Sequence, residues 1–217
     1  LTEPALGLSL SLTQTEVSCN GGSDGEVVVL PLGGTTPYTY LWSNADVDSI
    51  AESLFAGNYS VEVTDINGCS AVDNTVITEP TLLVSTINTS VNVSCNGGID
   101  GQATVTTSGG TTPYSYLWSS GGITATESNL IAGTYTVTTT DSLGCTDLDT
   151  IVITEPLSPL TATTSSVDNL CFGDNTGNGI VTAIGGTAPY TYFWNSIPSV
   201  NDSVNGLLIG TYLVTVT

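Results

Sequence analysis

The sequence predicts an all-β chain of tandem immunoglobulin-like β-sandwich domains, and three observations predict it. Val, Ile, Thr and Tyr dominate a composition that is 40% hydrophobic and only 9% charged, which suits pleated, half-buried strands and not an acidic disordered tail. Short runs with apolar residues at alternate positions are separated by Gly-, Pro- and Asn-rich turns. The pattern then returns: "VSCNGGSDGE" at Val17 as "VSCNGGIDGQ" at Val93, and "GGTTPYTYLWS" at Gly33 as "GGTTPYSYLWS" at Gly109 and "GGTAPYTYFWN" at Gly185.

The step is 76 residues, from Cys19 to Cys95, from Trp42 to Trp118 and from Thr78 to Thr154. Only from Tyr135 to Tyr212 is it 77, which places one extra residue in the loop "SIPSVNDSVN". All nine Tyr and all three Trp fall at equivalent repeat positions. This period exceeds the roughly 20 to 50 residues of solenoid units and matches a small independent domain. The expected domains are therefore 1–80, 81–156 and 157–217, the last truncated at its C-terminal end.

Within the first repeat each element has a local reason. Leu6, Leu8, Leu10 and Leu12 alternate strictly and predict the first strand. The stretch "CNGGSDGE", Cys19 to Glu26, has the glycines of a phosphate cradle, but a β-branched run "VVVLP" follows it where a phosphate loop needs a helix, and the chain has no Lys. It reads first as a turn, with Asn20 and Asp24 bonding nearby backbone. "YTYLWS" after Pro37, "NYSVEVT" after Gly57 and "AVDNTVIT" before Pro80 complete six or seven short strands. That number, in a unit of this size, predicts a sandwich, with the Greek-key order left open by spacing alone.

Charge excludes several functions. There are 20 Asp and Glu and no Lys, Arg or His, a formal charge of −20. No side-chain salt bridge can form, so every carboxylate is solvated, bonded to a neutral donor or bound to an external cation. Such a polyanion repels nucleic acid and anionic lipid. No run of about 18 apolar residues is present, so no membrane insertion is expected. The chain opens without Met or a signal peptide and is read as an internal or processed segment of a larger protein. Without His or Lys the common general bases are missing, and the chain is expected not to be an enzyme. Absent Lys also forbids Lys-to-Asn crosslinks.

Five cysteines complete the frame. Cys19 and Cys69 in the first repeat have the same spacing as Cys95 and Cys145 in the second, while the partner of Cys171 falls beyond the window. Disulfides within each repeat, Cys19 to Cys69 and Cys95 to Cys145, are the economical reading, in an oxidising compartment.

The motifs "SCNGGSDGE", "GGTTPYTYLWS", "LFAGNYSVEVTDINGC" and "TEP", at fixed spacing over the whole chain, resemble the SprB-type repeat found in tandem in large cell-surface adhesins of gliding Bacteroidota. The resemblance implies secretion to the cell surface and a long stalk or filament serving adhesion or gliding. The implied partners are neighbouring repeats of the same chain, the anchoring or motility machinery, and polysaccharide or solid surfaces. The third repeat departs from the pattern, with Thr176 where Asp24 and Asp100 stand.

Candidate sites follow. Tyr38, Tyr40 and Trp42 share one strand face and form either a sugar-stacking platform or core, with Trp42 packed on the Cys19 to Cys69 bridge; core is preferred for Trp42, Trp118 and Trp194. Tyr59, with Tyr135 and Tyr212, reads as a corner tyrosine whose hydroxyl bonds backbone. If Cys19 bonds Cys69, Asp24 approaches Asp65, and Asp100 likewise Asp141, offering oxygen ligands to a hard cation such as Ca²⁺, although no EF-hand pattern is present; no other cofactor is required. Ser49, Ser142, Thr150 and Ser203 sit in Asp-Ser/Thr-apolar triplets that resemble acceptors of Bacteroidota O-glycosylation. The alternative to a stalk is a binding module that uses variable loops such as "NADVDSIAE" and "SGGITATES". The joints carry Pro80 and Pro156 with no Gly/Ser tether, so an elongated, semi-rigid rod is expected, rising roughly 30 to 40 Å per repeat.

Overall fold

The computed structural model describes residues 7–171 and 173–217; Leu6 and the first "TEP" lie outside them. Among the described residues the regular structure is all β-strand, with no helix. Two compact units form, one of residues 1–86, 106–124 and 137–149, the other of 87–105, 125–136 and 150–217. Their division crosses the second repeat and does not fall at Pro80 or Pro156.

In the first unit the opening repeat forms β1 (Ser9–Thr15), β2 (Gly25–Leu32), β3 (Tyr38–Trp42), β4 (Ile50–Leu54), β5 (Gly57–Asp65) and β6 (Ser70–Ile77). They make two antiparallel sheets of order β1-β2-β4 and β3-β5-β6. Read as A-B-E and C-F-G, this is the order of an immunoglobulin-type sandwich lacking its D strand, and it fixes the topology that spacing left open. Gln14 Nε2 donates to Val76 O at 3.1 Å and Val17 N to Thr78 O at 3.1 Å, so the end of β1 also lies against the end of β6.

The period-two pattern decides which face is core. Leu8, Leu10 and Leu12 turn inward while Ser9, Ser11 and Thr13 face solvent. Val27, Val29, Ala51 and Leu54 of one sheet pack with Trp42, Val61, Val63 and Ile77 of the other in one buried cluster. Trp42 is 2% exposed and its Nε1 donates to Asp48 O at 2.9 Å, so its polar atom is satisfied from the loop after β3. Burying an indole removes on the order of 200 Å² from water, about 5 kcal/mol before entropy. The last glycine of "GGSDG" has a steric reason: a Cβ on Gly25 would stand 2.8 Å from Leu54 O and 3.0 Å from Ile77 Cγ2. There the β2–β4 register shifts, and Ser53 adopts φ +56°.

The second repeat forms β7 (Val84–Val91), β8 (Gly101–Ser108), β9 (Ser115–Trp118), β10 (Thr126–Leu130), β11 (Gly133–Thr140) and β12 (Thr146–Ile153), in sheets β10-β8-β7 and β12-β11-β9. In the second unit the third repeat forms β13 (Thr161–Val167), β14 (Gly177–Ile184), β15 (Tyr192–Trp194), β16 (Ser203–Leu207) and β17 (Val214–Val216), in sheets β13-β14-β16 and β15-β17. Its core is Val181, Trp194 and Val204, with Tyr212 against it. The bonds Thr36–Pro37, Thr112–Pro113 and Ala188–Pro189 are cis.

The tyrosines repeat the same bonds. The Tyr38, Tyr114 and Tyr190 hydroxyls each donate at 2.6 Å to the carbonyls of Gly33, Gly109 and Gly185. Tyr59, Tyr135 and Tyr212 donate to Phe55 O at 3.1 Å, Ile131 O at 3.1 Å and Leu208 O at 3.0 Å, pinning the turn before β5 and its equivalents. A Tyr59→Phe variant keeps the ring and loses one such bond, so a loss of about 1 kcal/mol is expected. Thermal unfolding should show this as a midpoint lower by about 4 to 8 °C.

Candidate functional site

The chemistry-bearing residues of the first repeat lie at its two ends. Between β1 and β2, the Cys19 loop is closed by Gly22 N donating to Cys19 O at 2.9 Å. Asp24 Oδ1 accepts Ser18 N at 3.1 Å and its Oδ2 accepts the Ser18 hydroxyl. Gly21 N donates to Glu79 Oε2 at 2.5 Å and Asn20 Nδ2 to Pro80 O at 3.1 Å, which ties the loop to the segment leaving β6.

The turn between β5 and β6 is organised by Asp65, only 4% exposed. Its Oδ1 accepts Asn67 N and Cys69 N at 2.9 Å each, and its Oδ2 accepts Thr35 N at 3.0 Å. One carboxylate thus holds both the "TDING" turn and the loop after β2, and Gly34 at φ +67° lets it in, since a Cβ there would stand 3.2 Å from Oδ2. Asp141 does the same in the second repeat, accepting Thr111 N at 2.8 Å and Leu143 N and Cys145 N at 2.9 Å.

These placements correct the disulfide expectation. Asp24 immediately precedes β2 while Asp65 bonds just after it, so Cys19 and Cys69 sit at opposite ends of an eight-residue strand, roughly 25 Å apart by strand rise. Cysteines whose Cα atoms are more than about 7 Å apart are not bridged. Cys19 bonds Cys145 instead, with Cα atoms 5.7 Å apart. Cys69, Cys95 and Cys171 are exposed thiols, so the expected Cys95 to Cys145 bridge is not made either. Equal spacing of the cysteines fits a bond between successive repeats as well as one within a repeat, and the strand direction decides between them. Trp42 accordingly packs on aliphatic side chains and not on a bridge.

The expected cation pairing of Asp24 with Asp65 is not made, for the same reason. Asp24 and Asp100 are exposed, and each is engaged by a serine, Asp100 by Ser94 N at 3.1 Å and Ser94 Oγ at 2.5 Å. Asp65 and Asp141 spend their oxygens on backbone N–H groups. Among the described residues no three His, Cys, Asp or Glu side chains converge on a metal position. Trp118 and Trp194 are 1% and 4% exposed, with Nε1 donating to Thr124 O and Asn201 O at 2.9 Å each. Tyr38 and Tyr40 are half-buried against the core beside Trp42. Ser142 and Thr150 are exposed, Ser49 and Ser203 half-buried. In the third repeat a cavity of about 600 Å³ is lined by Val167, Asn169, Cys171, Gly177, Leu207 and Tyr212. Nothing in the sequence pointed to it.

Hydrogen bonding lowers several carboxyl pKa values. For Asp24 the Ser18 hydroxyl leads, followed by its N–H; for Asp65 the Cys69 N–H leads; for Glu16 the Thr78 N–H leads. At Asp141 burial pushes upward, and the N–H groups of Thr111, Cys145, Leu143 and Gly144 outweigh it. A carboxyl lowered by folding contributes stability above its unfolded value, and that stability is lost as pH falls through the folded one. Thermal midpoints should therefore hold from pH 7 to 5 and fall below the ordinary Asp value of 3.8. Asp65→Asn should be less stable at pH 7 and show a shallower acid decline.

A tandem chain of immunoglobulin-like sandwich repeats is the class this fold defines. The SprB repeat family matches at residues 11–47, 87–123 and 163–198, just over half of the chain; the chain belongs to the SprB repeat family. No curated protein matches it in sequence. Among solved structures it is similar to an amphioxus IgVJ-C2 molecule (17% identity, 66% of this chain and 96% of that one, TM-score 0.27). It is also similar to extracellular domains 3–5 of Drosophila OTK (13%, 90% and 87%, TM-score 0.36). A third is a tetra-tandem repeat from the extending region of a large adhesion protein (15%, 100% and 64%, TM-score 0.27).

Proposed function

We propose that this chain is a stalk section of a large secreted adhesin, in which the repeats act as non-catalytic spacers holding an attachment site away from the cell surface, in service of adhesion and gliding. The observation that carries the reading is the Cys19–Cys145 bond, which ties the loop of one SprB repeat to the turn of the next. A covalent tie between successive repeats limits swivelling and passes load along the chain, as a spacer requires and a set of independent binding modules does not. It also needs an oxidising compartment, in keeping with the cell surface. Extension is supported by Pro80 and Pro156 at the joints and, at low ionic strength, by mutual repulsion among repeats without a single cationic side chain. Imaging of chains with one to three repeats should give contour lengths that grow linearly, by roughly 30 to 40 Å per repeat; compact clusters of unchanged length would overturn the proposal.

The binding-module reading has one observation in its favour. The loops at 44–52 and 120–128 present Val47 and Ile123 at 63% and 73% exposure. A glycan array probed with the chain separates the two: a spacer gives no signal, and a module loses its signal in Val47→Asp and Ile123→Asp.

A further inference from the structure

On the inner face of the second repeat, polar residues stand where the other repeats are apolar. Thr139 of β11 pairs with Tyr116 of β9, as Val63 pairs with Tyr40 in the first repeat and Val216 with Tyr192 in the third. Thr139 is 0% exposed, and its hydroxyl has no hydrogen-bond partner among the described residues.

Strand register brings a carboxylate beside it. Asp141 N donates to Cys145 O at 3.0 Å, closing the β11–β12 hairpin. Asp65 N closes β5–β6 in the same way on Cys69 O at 2.9 Å, and there Val63 lies opposite Ala71. The same closure sets Thr139 opposite Asp147, with Cβ atoms about 5 Å apart. Asp147 is half-buried between the exposed Thr146 and Leu148, so it shares the inner face with Thr139.

A one-residue shift of β7 adds a second hydroxyl. A Cβ on Gly34 would stand 3.4 Å from Leu8 Cβ and one on Gly186 3.1 Å from Leu160 Cβ, but one on Gly110 would stand 3.2 Å from Leu83 Cβ. By the 76-residue step Val84, not Leu83, matches Leu8. The place two residues further on, held by Leu10 in the first repeat and Ala162 in the third, therefore falls to Ser85 in the second. The shift has a local reason: Asn88 stands where the first repeat has Leu12, and in the shifted strand Asn88 is exposed and Ile87 half-buried. Ser85 is 7% exposed, its Oγ also has no partner among the described residues, and its N–H donates to Asp147 Oδ2 at 2.6 Å.

Unpartnered buried hydroxyls beside a half-buried carboxylate are costly unless something satisfies them, and a chain without Lys, Arg or His has no cationic side chain to do so. We infer that the Asp147 carboxylate, Ser85 Oγ and Thr139 Oγ1 form a hard-cation site inside the second repeat, taken by Ca²⁺ and completed by water. All three ligands are oxygens, which is what Ca²⁺ binds, and a single carboxylate places the affinity in the weak range of extracellular modules, about 10⁻⁴ to 10⁻³ M. The first repeat, with Leu10, Val63 and Ala71 at these places, lacks the three oxygens. The site is separate from the Asp24, Asp65, Asp100 and Asp141 carboxylates, and it stands independently of the stalk reading.

The test titrates CaCl₂ into the isotopically labelled full chain in about 150 mM NaCl, which screens the exposed carboxylates, and follows backbone amides by NMR with MgCl₂ as the control. Saturable shifts are expected at Ser85, Thr139 and Asp147, with a midpoint of about 10⁻⁴ to 10⁻³ M and binding about tenfold weaker for Mg²⁺. Asp147→Ala and Thr139→Val install the first repeat's own residues, so the fold should be kept. Asp147→Ala should abolish the shifts and Thr139→Val should raise the midpoint about tenfold. Asp147→Asn, which keeps an acceptor for Ser85 N, should abolish them too, which assigns the loss to the charge and not to the strand contact. No saturable shift at these residues, as when the hydroxyls hold water alone, or shifts that survive in Asp147→Ala and Asp147→Asn, would overturn the inference.

Discussion

A Trp42→Ala variant is expected to lose about 4 kcal/mol, the usual range for truncating a buried aromatic being 3 to 5 kcal/mol. Trp42 is 2% exposed and lies where both sheets of the first repeat meet, against Val27, Val61 and Ile77 among others. Truncation removes the indole's apolar area from the core, leaves a cavity the strands cannot close, and deprives Asp48 O of its donor. Since small domains hold only about 5 to 15 kcal/mol in total, the first repeat should be largely destabilised at 37 °C. Calorimetry should show its transition drop by more than 15 °C, estimated from a shift of about 4 to 8 °C per kcal/mol. Trp42→Phe, which keeps most of the volume, should lose much less.

Removing the Cys19–Cys145 bond should have the other large effect. It closes a span of 126 residues, and in the chain-entropy model a loop of that size contributes about 5 kcal/mol. Where the repeats unfold together, a reductant should lower the unfolding midpoint of the wild type by that free energy; where they unfold separately, the loss should appear as a broader, earlier transition of the joined segment. Cys145→Ser should reproduce the reduced state and be insensitive to reductant. Cys69→Ser should leave chain stability unchanged, which separates the bonded turn cysteine from its exposed counterpart.

Most of the fold could be read from the chain because it is local. Alternating Leu8, Leu10 and Leu12, the β-branched run at Val27 and the aromatic stripe of Tyr38, Tyr40 and Trp42 each fix a strand and its inner face by period two, and the aromatic stripe recurs at 76-residue intervals as Tyr114, Tyr116 and Trp118 and as Tyr190, Tyr192 and Trp194. The 76-residue period carries no mark of the compact units, whose division crosses the second repeat. Nor were the cis prolines, because Thr36–Pro37 carries no local mark distinguishing it from a trans bond.

The site was read less well, for one physical reason. Pairing cysteines by spacing within a repeat ignores that one precedes β2 and the other follows β5, positions that the antiparallel sandwich sends to opposite ends. The signal was nonetheless present. Asp65 in the "TDING" turn must reach the "GGTT" loop after β2 to satisfy its backbone donors, and that alone places Cys69 far from the loop before β2. The calcium expectation drew on the same pairing, and the carboxylates it set together stand at opposite ends of β2.

The most direct test of the account is proteolysis of the air-oxidised chain under non-reducing conditions, with mass identification of the linked peptides. A peptide pair containing Cys19 and Cys145 is expected, with Cys69 and Cys95 alkylatable in the monomer. A pair joining Cys19 to Cys69, or Cys95 to Cys145, would contradict it and return the repeats to separately closed domains.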